Sequence, residues 1–228
     1  MSRPTRIVMV AEMQGRDLAR RHVAMALLVA LPICFYGALA GEHDYAVIAG
    51  GIAMAFSVGG AAIFSVLSAR GVDQRLALTG FHPAELIMGR LLFLDVLSLP
   101  VVAATAALMA VVSQPERPWV LGLAVALVAL IAVPFGLSIG SLVPNELEAT
   151  LVLIGVVGIQ LSLSGDALVG RFLPFWGPRR LLDAALGEPV NVGVMVMVSL
   201  AYAAALLGFA LWLMTRRVAI RRHPLVTR

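Results

Sequence analysis

Few residues in this chain are equipped for chemistry, and their spacing argues against most of it. The four histidines, His22, His43, His82 and His223, are scattered along 228 residues. With one cysteine, Cys34, they make no metal site of known ligand spacing, no disulfide and no Ser/His/Asp arrangement. Cys34 reads as a small packing residue inside an apolar run. All 17 basic residues are arginine. The phosphate-loop pattern G-x-x-x-x-G-K-[ST] needs a lysine to reach the nucleotide phosphates, so it is absent. No catalytic residue, cofactor or metal is therefore expected. Asp95 is a carboxylate inside an apolar run, where carboxylates are costly and often functional. It stands about one turn into that run, within reach of Arg90 or water, which favours a structural role. Glu146 and Glu148 follow Pro144 at the start of another run, where acidic groups complement a helix N-terminus.

The elements that must carry these residues are apolar. Hydrophobic residues make up 61% and charged residues 13%, against about 25% charged in soluble domains. Six runs approach the length of a membrane span: 22–40, 45–67, 91–112, 119–143, 147–164 and 192–214. Pro32 and Pro134 are expected to kink the first and fourth, and Pro100 lies in the third. Trp119, Trp176 and Trp212 fall near the run ends, as interfacial belt residues do. The connections are too short for a separate soluble domain, so residues 1–228 read as a single all-α membrane domain.

Arginine layout orients it. Thirteen of the 17 arginines fall before the first run, between the second and third, or after the sixth. Arginine-rich segments stay in the cytoplasm, so both termini are expected there, with the chain in the plasma (inner) membrane. Arginines flanking apolar runs suit anionic lipids and not nucleic acid, which would require a basic face interleaved with aromatics. Ala38-Leu39-Ala40 before Gly41 also fits a signal-peptidase site, but the run is long enough to span and is read as retained. Ahead of it, Glu12, Arg16 and Arg20 recur at i, i+4, i+8, and Asp17 pairs with Arg21 at i+4. With Ile7, Val10, Ala11 and Leu18 on another face, residues 6–21 read as an amphipathic interfacial helix, part of an N-terminal segment 1–21.

The central loop, residues 68–90, carries the most information. Gly71 is expected to break the end of the second run. Residues 72–79 allow two helical turns, Gly80 sits where a helix end wants a left-handed residue, and Pro83 suits the first turn of the next helix. Leu76, Leu78 and Phe81 are apolar in a polar loop and call for a surface to pack against.

This loop resembles the one between the second and third spans of ABC-2 type transporter permeases. The matching residues are Arg70, Gly71, Leu76, Leu78, Thr79, Gly80, Pro83, Glu85, Leu86, Gly89 and Arg90. The resemblance implies a coupling helix that docks on a separate ATP-binding subunit through Val72, Arg75, Leu76, Leu78, Thr79, Phe81 and Glu85. It implies six spans, an N-terminal elbow helix, and short outer helices in the segment 165–191, where a helix over 179–186 is expected, begun by Pro178 and ended by Gly187. It also implies two ATPase copies, a second permease that is another copy of this chain or a related one, and outward transport; the apolar pathway suggests an amphiphile such as a drug, a lipid-linked molecule or a hydrophobic peptide. The loop departs from the family in carrying only two acidic residues, Asp73 and Glu85. Ser57, Ser65, Gln160, Ser162 and Ser164 would give a pathway some polarity, or serve as hydrogen bonds between helices. Gly50, Gly51, Gly59, Gly60 and the Gly136-x-x-x-Gly140 pair permit close helix approach. The rival classes are a membrane-embedded lipid-modifying enzyme, for which Asp95 alone is too little, and a membrane assembly protein.

The topology is testable in a Cys34→Ser background. A cysteine at Asp44 should react with an impermeant thiol reagent from outside intact cells, and cysteines at positions 70–82 should not. Outside labelling of 70–82 would overturn the orientation.

Overall fold

A computed structural model describes residues 3–19, 22–165 and 167–220, with the backbone alone for 3–4, 17–19, 22–25, 43, 74, 77, 78, 83 and 217–220. The described residues form helices and no strand. In order they are α1 (Arg3–Ala19), α2 (His22–Ala38), α3 (His43–Ser68), α4 (Arg70–Leu78), α5 (Pro83–Ser113), α6 (Pro118–Leu142), α7 (Glu146–Ser162), α8 (Trp176–Ala185) and α9 (Val192–Ile220). A short 3-10 turn, Val169–Phe172, precedes α8. Among the described residues, α3, α5, α6 and α9 contain stretches long and apolar enough to cross a membrane. The first and fifth apolar runs become α2 and α7, which are 17 residues each and shorter than these.

The centre of the bundle is α3 against α6. In both, 78% of the most apolar stretch is buried, against 22% in α5 and α9. Small residues make this possible. A Cβ added at Gly136 would run into the Gly59 carbonyl oxygen and come within 2.7 Å of the Ala62 methyl. One at Gly140 would stand 3.1 Å from the Ile63 carbonyl oxygen. The two backbones therefore touch, as the Gly136/Gly140 spacing predicts. Val58, Ile63, Val66, Leu121, Val128, Ile131 and Leu137 fill the surrounding core. Around this pair, α2 and α7 lie against α3, while α5 and α9 lie against α6. Hydroxyls join the layers. Ser138 Oγ, on α6, donates to the Pro134 carbonyl at 2.8 Å and to Leu206 of α9 at 3.3 Å. Tyr36 of α2 and Ser113 of α5 share a 2.6 Å hydrogen bond.

Several local expectations shift. The break after α3 falls at Ala69, and Gly71 lies inside the first turn of α4. The left-handed glycine of this loop is instead Gly80, at φ +92° just after α4. The Phe81 N–H donates to the Leu76 carbonyl at 3.0 Å, the closing bond of that turn. Helix α1 starts earlier than residue 6, and its Glu12–Arg16 pair forms at 2.6 Å. Arg20, the Asp17–Arg21 pair and the Leu18 side chain lie outside the described residues. Helix α8 starts at Trp176, two residues before Pro178, and ends as expected before Gly187 at φ +106°. Cys34 is exposed and not a packing residue. Pro32, Pro100 and Pro134 all lie within continuous helices.

Gly136→Ala should lower stability by about 1–3 kcal/mol, since α3 and α6 must separate to admit the methyl. Gly122→Ala, at a site with open space, should be neutral or stabilising through helix propensity. Thermal melting in detergent measures both. Equal melting points for the two variants would show that the α3–α6 contact is not close.

Candidate functional site at the arginine-rich end

Helix α4 is short, polar and isolated. It is separated from α3 by Ala69 and stopped by Gly80, and it stays in place because arginines hold it at three points. Arg70, in its first turn, reaches the end of α6. Its guanidinium donates to the carbonyls of Val143 at 2.6 Å, Pro144 at 2.7 Å and Gly140 at 3.1 Å. The last carbonyls of a helix lack intrahelical donors, and a cation there also meets the negative end of the helix dipole.

Arg90, on α5, donates from Nη2 to Asp73 Oδ1 of α4 at 2.6 Å. Arg90 is fully buried, and its Nε and Nη1 are buried without a hydrogen-bond partner among the described residues. Burial pushes the Asp73 carboxyl above its ordinary range, while the Arg90 charge and hydrogen bond pull it back.

Arg6, on α1, closes the third point. It donates to the Gly80 carbonyl at 2.9 Å, stands 3.6 Å from Glu85 and lies over the Phe81 ring at 5.4 Å. Glu85 in turn accepts from the His82 N–H at 2.9 Å, and the His82 side chain accepts from the Ala84 N–H at 3.5 Å. This reciprocal cap starts α5 with Pro83 at its first position. Helix α1 seats directly on the same stretch: a Cβ at Gly89 would stand 2.7 Å from the Val10 side chain.

The residues assigned to docking thus divide. Val72, Arg75 and Thr79 are exposed. Leu76 and Phe81 are half-buried and pack against the chain's own core, and Glu85 is buried in the cap and the Arg6 pair. The Leu78 side chain lies outside the described residues. Asp95 is half-buried, and Arg90 turns to Asp73 instead of to it. Glu146 and Glu148 occupy the exposed first turn of α7, with Glu148 accepting from Asn145 at 2.7 Å.

The polar residues assigned to a pathway divide as well. Ser57, Ser65 and Gln160 are buried, and Ser57 Oγ, Ser65 Oγ and Gln160 Oε1 have no hydrogen-bond partner among the described residues. Ser65 lines a small crevice with Gln14, Ala61, Phe64, Ser68, Phe93 and Leu94, between α1, α3 and α5. Ser162 and Ser164 are exposed, and Ser162 bonds back to Gly158 at 2.9 Å.

At the opposite end, α8 closes the bundle. Leu181, Leu182 and Ala185 are buried, and so are Arg179 and Asp183. These two pair at 3.4 Å, and Arg180 reaches both Asp183 and Glu188. Burial raises the Asp183 carboxyl, opposed by Arg179 and then Arg180. Close glycines seat the helix: a Cβ at Gly51 would stand 2.7 Å from Leu182, and one at Gly177 would meet Ser199 Oγ. Among the described residues, no group of three His, Cys, Asp or Glu side chains is placed to hold a metal ion.

No protein-family model matches this chain, and no curated protein matches it in sequence.

Sequence reasoning paired none of these arginines correctly. Asp73 and Arg90 are 17 residues apart and Arg70 and Pro144 are 74 apart, so no local periodicity connects them. The Arg179–Asp183 pair did carry a signal, the i, i+4 spacing of opposite charges on an otherwise apolar helix.

Arg70→Ala should cost about 1.5–3 kcal/mol, the range for a lost hydrogen bond to a charged group. Arg75→Ala, at an exposed position, should change stability by less than about 0.5 kcal/mol. Chemical or thermal denaturation of the two purified variants separates them; equal effects would show that Arg70 does not cap α6.

Proposed function

We propose that this chain is the transmembrane subunit of an ATP-driven exporter of the ABC-2 type. One observation carries the reading. A short helix, α4, stands at the arginine-rich end with Val72, Arg75 and Thr79 exposed, and it is fastened to α1, α5 and α6 by Arg6, Arg90 and Arg70. A helix meant only to connect two spans needs no such fastening. One that receives force from a partner and passes it to several helices does.

In this reading the six apolar helices α2, α3, α5, α6, α7 and α9 cross the plasma membrane with both termini in the cytoplasm. Helix α1 is the interfacial elbow, α4 the coupling helix, and α8 with the preceding 3-10 turn the outer segment. Two copies of a separate ATP-binding subunit dock beneath two permease copies. The absence of lysine supports hydrolysis in the partner and not here. The apolar bundle favours an amphiphilic substrate, with buried Ser57, Ser65 and Gln160 as the polar groups nearest to its route.

The half-burial of Leu76 and Phe81 within the chain itself moves the contact surface toward Val72, Arg75 and Thr79. Val72→Asp with Arg75→Glu should reduce co-purification of the ATPase, or substrate-stimulated hydrolysis in liposomes, at least tenfold while the permease still inserts. Wild-type assembly and coupling in that double variant, and in Leu78→Asp, would place docking elsewhere. ATP hydrolysis by the chain freed of every partner would overturn the permease reading itself.

A further inference from the structure

The Arg90–Asp73 pair has properties that ordinary helix packing does not explain. Arg90 is fully buried, yet among the described residues only one of its three guanidinium nitrogens has a hydrogen-bond partner, and that partner is Asp73. A guanidinium cannot discharge itself by losing a proton. Its burial therefore has to be offset by acceptors, and a half-satisfied buried charge is a costly arrangement. Asp73 is the acceptor, and it belongs to the short helix α4 and not to the bundle. The side chain of Asp73 is itself only 13% exposed. So the burial of one arginine on a long apolar helix depends on where a two-turn helix sits.

We propose that Arg90 is the positioning residue for α4: a buried charge on α5 that fixes α4 through Asp73, so that displacing α4 strips Arg90 of its acceptor and α5 must respond. Arg70 and Arg6 fasten α4 and its following turn through backbone carbonyls of Gly140, Val143, Pro144 and Gly80. The Arg6 and Arg70 side chains that make those bonds are partly exposed. Arg90 is the fully buried one of the three arginines, so its charge has the least access to water. This inference deepens the coupling-helix reading by naming the side chain through which α4 and α5 move together.

The first test needs no ATPase, so its result stands apart from the docking reading. Amide hydrogen exchange of the intact chain in nanodiscs is compared for wild type, Asp73→Asn, Arg90→Gln, the double variant, and Asp73→Glu. Exchange in α4 should rise at least tenfold in each single variant while α3 and α6 keep wild-type protection. The double variant should rise less than the two singles combined, because it leaves no unpaired charge, and Asp73→Glu should restore most of the protection. Unchanged α4 exchange in both singles would overturn the proposal. So would an equal rise across α3, α4 and α6, which would mark a general structural role. If Arg90→Gln does not insert, Asp73→Asn and its Asp73→Glu rescue decide alone. In the assembled exporter, Asp73→Asn should keep ATPase binding within about twofold but lower substrate-stimulated turnover at least fivefold. Loss of binding with turnover per bound complex unchanged would overturn the role in transmission while leaving docking intact.

Discussion

Backbone contact between α3 and α6 is the constraint on which the remaining architecture rests. Gly136 leaves no room for a side chain against Gly59, and Gly140 leaves little against Ile63. In a lipid environment apolar side chains gain little by hiding from one another, so association has to come from close packing and hydrogen bonds. Two helices in that embrace present the widest continuous surface to others, and α2, α7, α5 and α9 take their places around it. Gly51 extends the same device to the far end, where it admits Leu182 of α8. Removing side chains at a few positions thus arranges helices that share no distinguishing pattern of their own.

Charge organises the ends where packing organises the middle. An arginine keeps its proton in any protein environment, so each one near the apolar zone must be given acceptors. At one end these are the carbonyls left over by α6, the carbonyl of Gly80, and the carboxylates of Asp73 and Glu85. At the other, Arg179 and Arg180 share Asp183. The two ends differ in kind. The first joins separate helices across long sequence distances, whereas the second is largely internal to α8 and the loop after it.

What could be read from the sequence was whatever depends on neighbours in the chain. The apolar runs, the left-handed Gly80 and Gly187, Pro83 at a helix start and the Glu12–Arg16 pair are all local, and all appear. The break after α3 was misplaced because Gly71 is a strong punctuator, yet the helix ends at Ala69 and Gly71 continues into the first turn of α4. Which runs lie at the centre was hidden, since α3, α5, α6 and α9 are similarly apolar and none shows a clear polar face. Cys34 was misassigned for a related reason: an apolar run does not say which of its sides meets the rest of the chain. The partners of Arg6, Arg70 and Arg90 are set by tertiary placement alone. They could be named only once the helices were in position.

Helix length has a consequence for the surrounding bilayer. Helices α2 and α7, with 17 residues each, are about 25 Å long at 1.5 Å per residue, and both lie against α3. Helix α5, with 31 residues, extends about 46 Å by the same rise. The hydrocarbon layer of a typical membrane is about 30 Å thick. In the six-span reading proposed above, lipid around this bundle would therefore meet a rim of uneven height, short beside α2 and α7 and tall beside α5. Acyl chains accommodate such a step by thinning locally on the short flank. The leaflets would approach each other there, making that flank the thinnest lipid barrier around the protein.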